Sequence, residues 1–181
     1  MSQQPRFFFE PFDKKKHNRA DFSCENERLV TYLQQQASQE IKKRVAAVFI
    51  LTPDGKTIAG FYTLSQYAVD AGELPERLMK DLGLPKYPQL PATLLGRLAR
   101  SLEFRGQGVG ELLLMGALKR ALDHSKAVAS VAVVTDAKDE AAKAFYERYG
   151  FIKLPAPANR LFLPMKTIEE MFISNHARAG S

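Results

Sequence analysis

Apolar and polar residues follow two rhythms along this chain, and each change of rhythm marks an element. Arg6 to Phe12, rich in phenylalanine and broken at Pro11, predicts an edge strand, and the polar stretch Asp13 to Phe22 predicts a loop. From Glu25 to Glu40 the apolar positions Leu29, Val30, Leu33 and Ala37 recur at helical spacing, with glutamine and arginine opposite. Arg44 to Thr52 and Thr57 to Val69 are β-rich runs joined by Pro53-Asp54-Gly55-Lys56, the pattern of an antiparallel hairpin, and Gly60 marks a bulge or a close approach. A short helix is expected from Leu74 to Leu82, followed by a proline-broken connector from Gly83 to Pro91.

The second half alternates strands and helices. Thr93 to Leu102 predicts a central strand, and Gly108 to His124 a helix buried along Leu112, Leu113, Ala117 and Leu118. Val128 to Thr135 is a nearly continuous β-branched run that suits a strand covered on both faces. Asp139 to Tyr149 predicts a helix closed by Gly150, followed by strands at Phe151 to Leu154 and Arg160 to Met165. Thr167 with Glu170 three residues on predicts a capping box opening a last helix to about Ser174, with 175–181 a flexible tail. The order is an antiparallel meander and then strand–helix–strand–helix–strand, within one domain spanning 1–181.

Composition narrows the class. With 181 residues, 45% of them apolar, the chain can bury one substantial core. Its apolar runs are far short of a membrane span, and the N-terminus lacks a charged-then-apolar signal pattern, so a cytoplasmic protein is expected. The single cysteine, Cys24, is expected to pack as a small hydrophobe. The net charge of +6 falls in clusters, Lys14-Lys15-Lys16, Lys42-Lys43-Arg44 and Lys119-Arg120. These suit either a solvated basic surface or a footprint for nucleic-acid phosphates.

The chemistry concentrates where the central strand meets the helix that follows. Arg105-Gly106-Gln107-Gly108-Val109-Gly110 strips side chains from successive backbone N–H groups just where a helix presents its positive end, a socket for a pyrophosphate. About forty residues later comes Ala144-Phe145-Tyr146-Glu147-Arg148-Tyr149-Gly150-Phe151, an aromatic-rich helix ending in Gly-Phe before a strand. Together these resemble the two signatures of the GNAT superfamily of acetyl-CoA-dependent N-acetyltransferases. The resemblance implies an α/β GNAT fold: a mixed, mostly antiparallel central sheet with helices on both faces and a V-shaped split between the two central strands.

Leu95-Gly96-Arg97-Leu98-Ala99, Gly60-Phe61-Tyr62-Thr63-Leu64-Ser65 and Arg160-Leu161-Phe162-Leu163-Pro164 resemble one branch, the acetyltransferase toxins of toxin–antitoxin pairs. These acetylate the α-amine of amino acids charged on tRNA and block translation. The chain carries Arg100-Ser101 where many such toxins carry Val-Asp.

The resemblance assigns acetyl-CoA as co-substrate, with no metal. Its contacts would be the backbone of Arg105, Gly106, Gln107, Gly108, Val109 and Gly110, and Leu98, Ala99 and Arg100 along the pantetheine arm. The amide of Ala99 or Leu98 would meet the thioester oxygen. Tyr146 would be the general acid toward the departing sulfur. Phe145 and Tyr149 flank it as further cofactor contacts, although Phe145 is the better candidate for core packing and Tyr149, along the same face, suits packing more than chemistry. Asp136 is expected either to touch the cofactor or to cap the next helix. Arg97 would meet the acceptor's phosphates or pair with a core carboxylate, and Glu103 would face the acceptor and accept a proton through water, or sit solvated in its turn. His17, His124 and His176 are expected at the surface, which leaves no obvious base. An α-amine titrates near ~8 and needs a base less than lysine at ~10.4 does, so the gap favours an α-amine acceptor.

The partners implied are aminoacyl-tRNA, a ribbon-helix-helix antitoxin and a second copy of the chain. Acetylation of a protein N-terminus or a small amine, or a non-catalytic acetyl-CoA sensor, stays open from the residues alone.

Overall fold

The computed structural model describes residues 6–180. Its strands are β1 (Phe8–Pro11), β2 (Ala47–Thr52), β3 (Gly60–Asp70), β4 (Gln89–Arg100), β5 (Ala132–Asp136), β6 (Ile152–Lys153) and β7 (Arg160–Pro164). They hydrogen-bond in the order β1-β2-β3-β4-β5-β7-β6. The helices are α1 (Glu27–Thr31), α2 (Ala37–Lys42), α3 (Glu76–Asp81), α4 (Val109–His124), α5 (Glu140–Arg148) and α6 (Met165–Ala179). The sheet is mixed, because β4 and β5 run parallel while β1–β2, β2–β3, β5–β7 and β6–β7 are antiparallel. The parallel ladder holds only two pairs, Thr93↔Val133 and Leu94↔Val134, and both strands run on beyond it.

The framework forms two compact units, one of residues up to Ser65 with Gly96–Ala117, the other of Gln66–Leu95 with Leu118 onward. In the first, the predicted helix is α1 and α2 joined by a π-helical turn over Tyr32–Gln36, where the Ala37 N–H reaches back five residues to the Tyr32 carbonyl. Its inner face, Tyr32, Leu33 and Ala37, packs with Val48, Ile50, Phe61 and Ala99. On the opposite face of the strands lies the start of α4. There a Cβ on Gly60 would stand 2.6 Å from Leu113 Cδ1 and 2.8 Å from the Ala99 carbonyl oxygen, so Gly60 marks a close approach. Gly116 likewise admits the Phe9 ring, which a Cβ would meet at 2.3 Å.

In the second unit, Leu74, Leu90, Ala92, Val134 and Phe162 form a core under α3. Leu161 and Leu163, alternate to Phe162 on β7, point to the other face. Gly150, at φ +95°, closes α5 beside Leu163.

The structure corrects several expectations. The Leu112-Leu113-Leu114 run permits two phases of one helix, and the observed phase buries Leu113, Leu114, Ala117, Leu118 and Ala121 while Leu112 stays exposed. Val128 is exposed too, because its N–H still bonds to the His124 carbonyl in the turn leaving α4, and the strand starts only at Ala132. The last helix begins at Met165 with Pro164 as its N-cap, so Thr167 lies inside it, and it runs to Ala179 through the segment expected to be a tail. His17 is buried: its Nδ1 accepts from the Asp13 N–H (3.0 Å), its Nε2 stands 2.8 Å from Glu10 Oε2, and its ring stacks on Phe12. Cys24 is buried as expected, its thiol donating to the Asn26 carbonyl.

Candidate active site

Beyond β4, Ser101 takes an extended conformation and its Oγ accepts from the Glu103 N–H, capping a short turn over Leu102–Phe104. Serine and aspartate are both good caps, so Ser101 does here what an aspartate could do. The chain then passes through Gly106 at φ +78° and Gly108 at φ +71° before α4 begins. A Cβ at either would meet nothing within 4 Å. Left-handed backbone, not crowding, therefore calls for glycine here, and the loop stays open to a ligand. The first N–H groups of α4, at Val109, Gly110 and Glu111, have no carbonyl one turn earlier inside the helix, and the helix dipole adds positive potential there. The residues present fit a bound pyrophosphate.

Arg105 differs from the expectation. Its N–H donates to the Leu102 carbonyl (3.3 Å), so the open donors begin at Gly106. Its guanidinium is ion-paired with Glu25, which also draws Arg100 Nη2 to 3.5 Å.

The edges of β4 set the Leu98 and Ala99 amides apart. In the second unit, the Pro91 carbonyl accepts from the Val131 N–H and the Leu95 carbonyl from Thr135 Oγ1, so these odd-numbered positions face β5. In the first, the Ser101 N–H donates to the Ala59 carbonyl and the Ala99 carbonyl approaches Gly60, so odd-numbered positions face β3. The hydrogen-bonding side changes between Leu95 and Ala99, as one extra residue in a strand produces. The Ala99 amide is thereby turned toward β3 and the Leu98 amide away from it.

Arg97 pairs with a carboxylate. Its Cζ lies 3.6 Å from the centroid of the Tyr32 ring and its Nη1 3.7 Å from Glu40 Oε2. The Tyr32 hydroxyl donates to that same oxygen at 2.8 Å, and burial together with this bond pushes the Tyr32 pKa well above the ordinary value for a phenol. Tyr32 and Glu40 were missed from sequence because a tyrosine within an amphipathic helix reads as packing.

Tyr146 is buried on α5, with rings of Phe145 (5.3 Å between centroids) and Phe151 (5.2 Å) against it. Phe145, expected in the core, is only half-buried, so the two exchange places. Burial pushes the Tyr146 phenol up to about 12, a rise partly opposed by a side-chain hydrogen bond with Thr135. A phenol in that state keeps its proton at neutral pH. Tyr149 is half-buried and packs edge-on against Phe145 at 5.2 Å.

Asp136 is held by Arg160, whose Nε and Nη2 reach its two oxygens at 2.9 and 3.1 Å, and it does not cap α5. Asp139 does, its Oδ1 accepting from the Ala142 N–H at 2.7 Å. Arg160 also meets Tyr67 and Glu73. Glu103 is exposed in its turn. His124 ends α4, and His176 bonds to the Phe172 carbonyl on α6. Among the described residues no cluster of three or more His, Cys, Asp or Glu is arranged to hold a metal, and no helix is long and apolar enough to cross a membrane.

The family model for the GNAT acetyltransferases matches residues 14–151, which include the glycine loop and the whole of α5. The chain belongs to this family. The curated sequences similar to this chain include two toxins. The probable toxin TacT of Sinorhizobium fredii is 29% identical over 90% of this acetyltransferase and 93% of its own length. The tRNA-acetylating toxin of Mycobacterium tuberculosis is 29% identical over 80% and 84%. Among solved structures, a tyrosine-to-phenylalanine variant of KacT superposes with a TM-score of 0.83 at 30% identity, covering 91% of this chain and 98% of its own. AtaT complexed with acetyl-methionyl-tRNAfMet gives 0.82 at 30% identity, covering 92% and 99%. This protein is therefore an acyltransferase with the α/β GNAT fold, in a family whose acetyl donor is acetyl-CoA.

Proposed function

We propose that this acetyltransferase transfers the acetyl group of acetyl-CoA to the α-amine of the amino acid carried by tRNA. Peptide-bond formation needs that amine, so its acetylation blocks translation and makes the protein a toxin. The observation that carries the reading is the match over nearly the full chain to AtaT, whose structure holds acetyl-methionyl-tRNAfMet. The net charge of +6 is consistent with a polyanionic acceptor.

When bound, acetyl-CoA supplies a thioester whose carbonyl is open to an amine. The chain's part is to hold, polarise and protonate. The N–H groups from Gly106 to Gly110, with the dipole of α4, hold the pyrophosphate, and the Leu98 amide polarises the carbonyl oxygen. Tyr146 Oη carries the proton for the departing sulfur, and burial keeps it there. An α-amine titrating near ~8 attacks without a dedicated base. Arg97, fixed by Tyr32 and Glu40, is assigned to the acceptor. The same reading gives the protein a cytoplasmic location, a homodimeric state and an antitoxin partner of the ribbon-helix-helix type. The structure of an AtaT variant bound to the C-terminus of the antitoxin AtaR is a precedent for a toxin–antitoxin pair.

Incubation with radiolabelled acetyl-CoA and total aminoacyl-tRNA, beside deacylated tRNA, tests the acceptor. Label confined to the charged pool supports the reading. Label in neither pool, with acetyl-CoA still bound, turns the assignment to protein N-termini or small amines.

A further inference from the structure

Two of the three basic clusters in the sequence meet in one cleft. It has a volume of about 610 Å³, lies within the first unit, and is walled by the end of β1 with the turn that follows and by α2. Lys14 and Lys16 enter from the turn and Lys42 from the end of α2.

The charges in its walls are not equally committed. Lys16 is bound to Glu10 Oε1 at 2.6 Å, and buried His17 sits against the other oxygen of the same carboxylate. Lys16 and His17 together hold the Glu10 carboxyl below its usual range, so it remains an anion already satisfied. Asp13 Oδ1 accepts from the Lys15 N–H at 2.8 Å. Lys14 and Lys42 are exposed and make no ion pair among the described residues. The cleft thus offers two unengaged ammonium groups carried by different elements, with Glu10 already paired to Lys16. Lysine is a flexible point charge and does not impose the planar, two-pronged geometry of arginine. Two of them across an open cleft suit the repeating phosphates of a nucleic-acid backbone better than a single small ligand.

We infer that this cleft is a phosphodiester-binding subsite for the RNA acceptor, with Lys14 and Lys42 as its two contacts. The inference rests on the aminoacyl-tRNA reading above and extends it to a surface that contributes nothing to the glycine loop or to Tyr146.

The test is tRNA affinity measured across salt concentrations for the wild type, for a Lys14→Ala/Lys42→Ala variant, and for a Lys80→Ala/Lys86→Ala control. The control makes the same charge change at exposed positions in the other unit. Each phosphate contact contributes about 0.7 to 0.9 to the slope of log K against log salt. The cleft variant should therefore lose about 1.4 to 1.8 of that slope and about tenfold in affinity near 0.1 M salt, while the control stays close to wild type. Its acetyl-CoA affinity should be unchanged. An unaltered slope, or an equal loss in the control, overturns the subsite while leaving the acceptor reading intact. A wild type that shows no salt-dependent tRNA binding removes both.

Discussion

The glycine loop and the tyrosine of α5 suit their proposed roles by opposite routes. At the loop, Gly106 and Gly108 lie exposed at positive φ with open space where a Cβ would stand, and the groups proposed to work are backbone N–H donors. At Tyr146 the group proposed to work is one side-chain proton, and burial among Phe145, Phe151 and Thr135 holds it in place. A backbone site tolerates changes of side chain but not of φ. A buried phenol tolerates changes of neighbour only while the pocket stays dry.

The contrast breaks most sharply at Tyr146. Replacing it with phenylalanine keeps the ring and removes the proton, and turnover should fall by about 10²- to 10⁴-fold, the usual range for a positioned acid, in a steady-state assay. Gly108→Val should act on the other limb. A branched residue at φ +71° costs about 1–2 kcal/mol, so acetyl-CoA affinity should drop about tenfold with a matching loss of thermal stability.

The pH profile sharpens the comparison further. The phenol at about 12 stays protonated through the ordinary working range, so kcat should show no descending limb below about pH 10. The stability associated with the neutral buried phenol is fully present below the unfolded value of ~10 and is lost as pH rises toward 12. The smallest effect is expected at an exposed turn. Asp54 accepts from the N–H groups of Lys56 and Thr57 and from the Thr57 hydroxyl, which lower its pKa to about 2. Its contribution should be intact above its unfolded value near ~3.9 and fade as pH falls toward 2, a loss that Asp54→Ala should abolish in acid-melting curves.

What the sequence disclosed follows the same division. Local signals were legible: the Gly106 and Gly108 loop, the Pro53-Asp54-Gly55 hairpin turn and the Gly150 cap are all set by backbone preferences of a few neighbouring residues. Properties made by distant partners were not. His17 stands in a polar loop yet is buried, because Glu10 on the preceding strand satisfies its ring. Asp136 looked available for a cap or a cofactor until β7 brought Arg160 beside it. Leu112 and Leu114 cannot be told apart by periodicity within a run of three leucines, and only the surface against which α4 packs decides. The pairing of Tyr32 and Glu40 with Arg97 depends on the π-helical turn, which no propensity announces.

The most direct test of the division between a backbone cradle and a buried acid is calorimetric acetyl-CoA binding together with a single-turnover acetyl-transfer rate, measured on Tyr146→Phe and Gly108→Val in parallel. The account predicts a crossed result. Tyr146→Phe should bind acetyl-CoA within about twofold of wild type and transfer at least about a hundredfold more slowly. Gly108→Val should bind weakly and, once saturated, transfer at close to the normal rate. Parallel losses of binding and rate in Tyr146→Phe would show that the tyrosine only supports the fold, and would contradict its assignment as the acid.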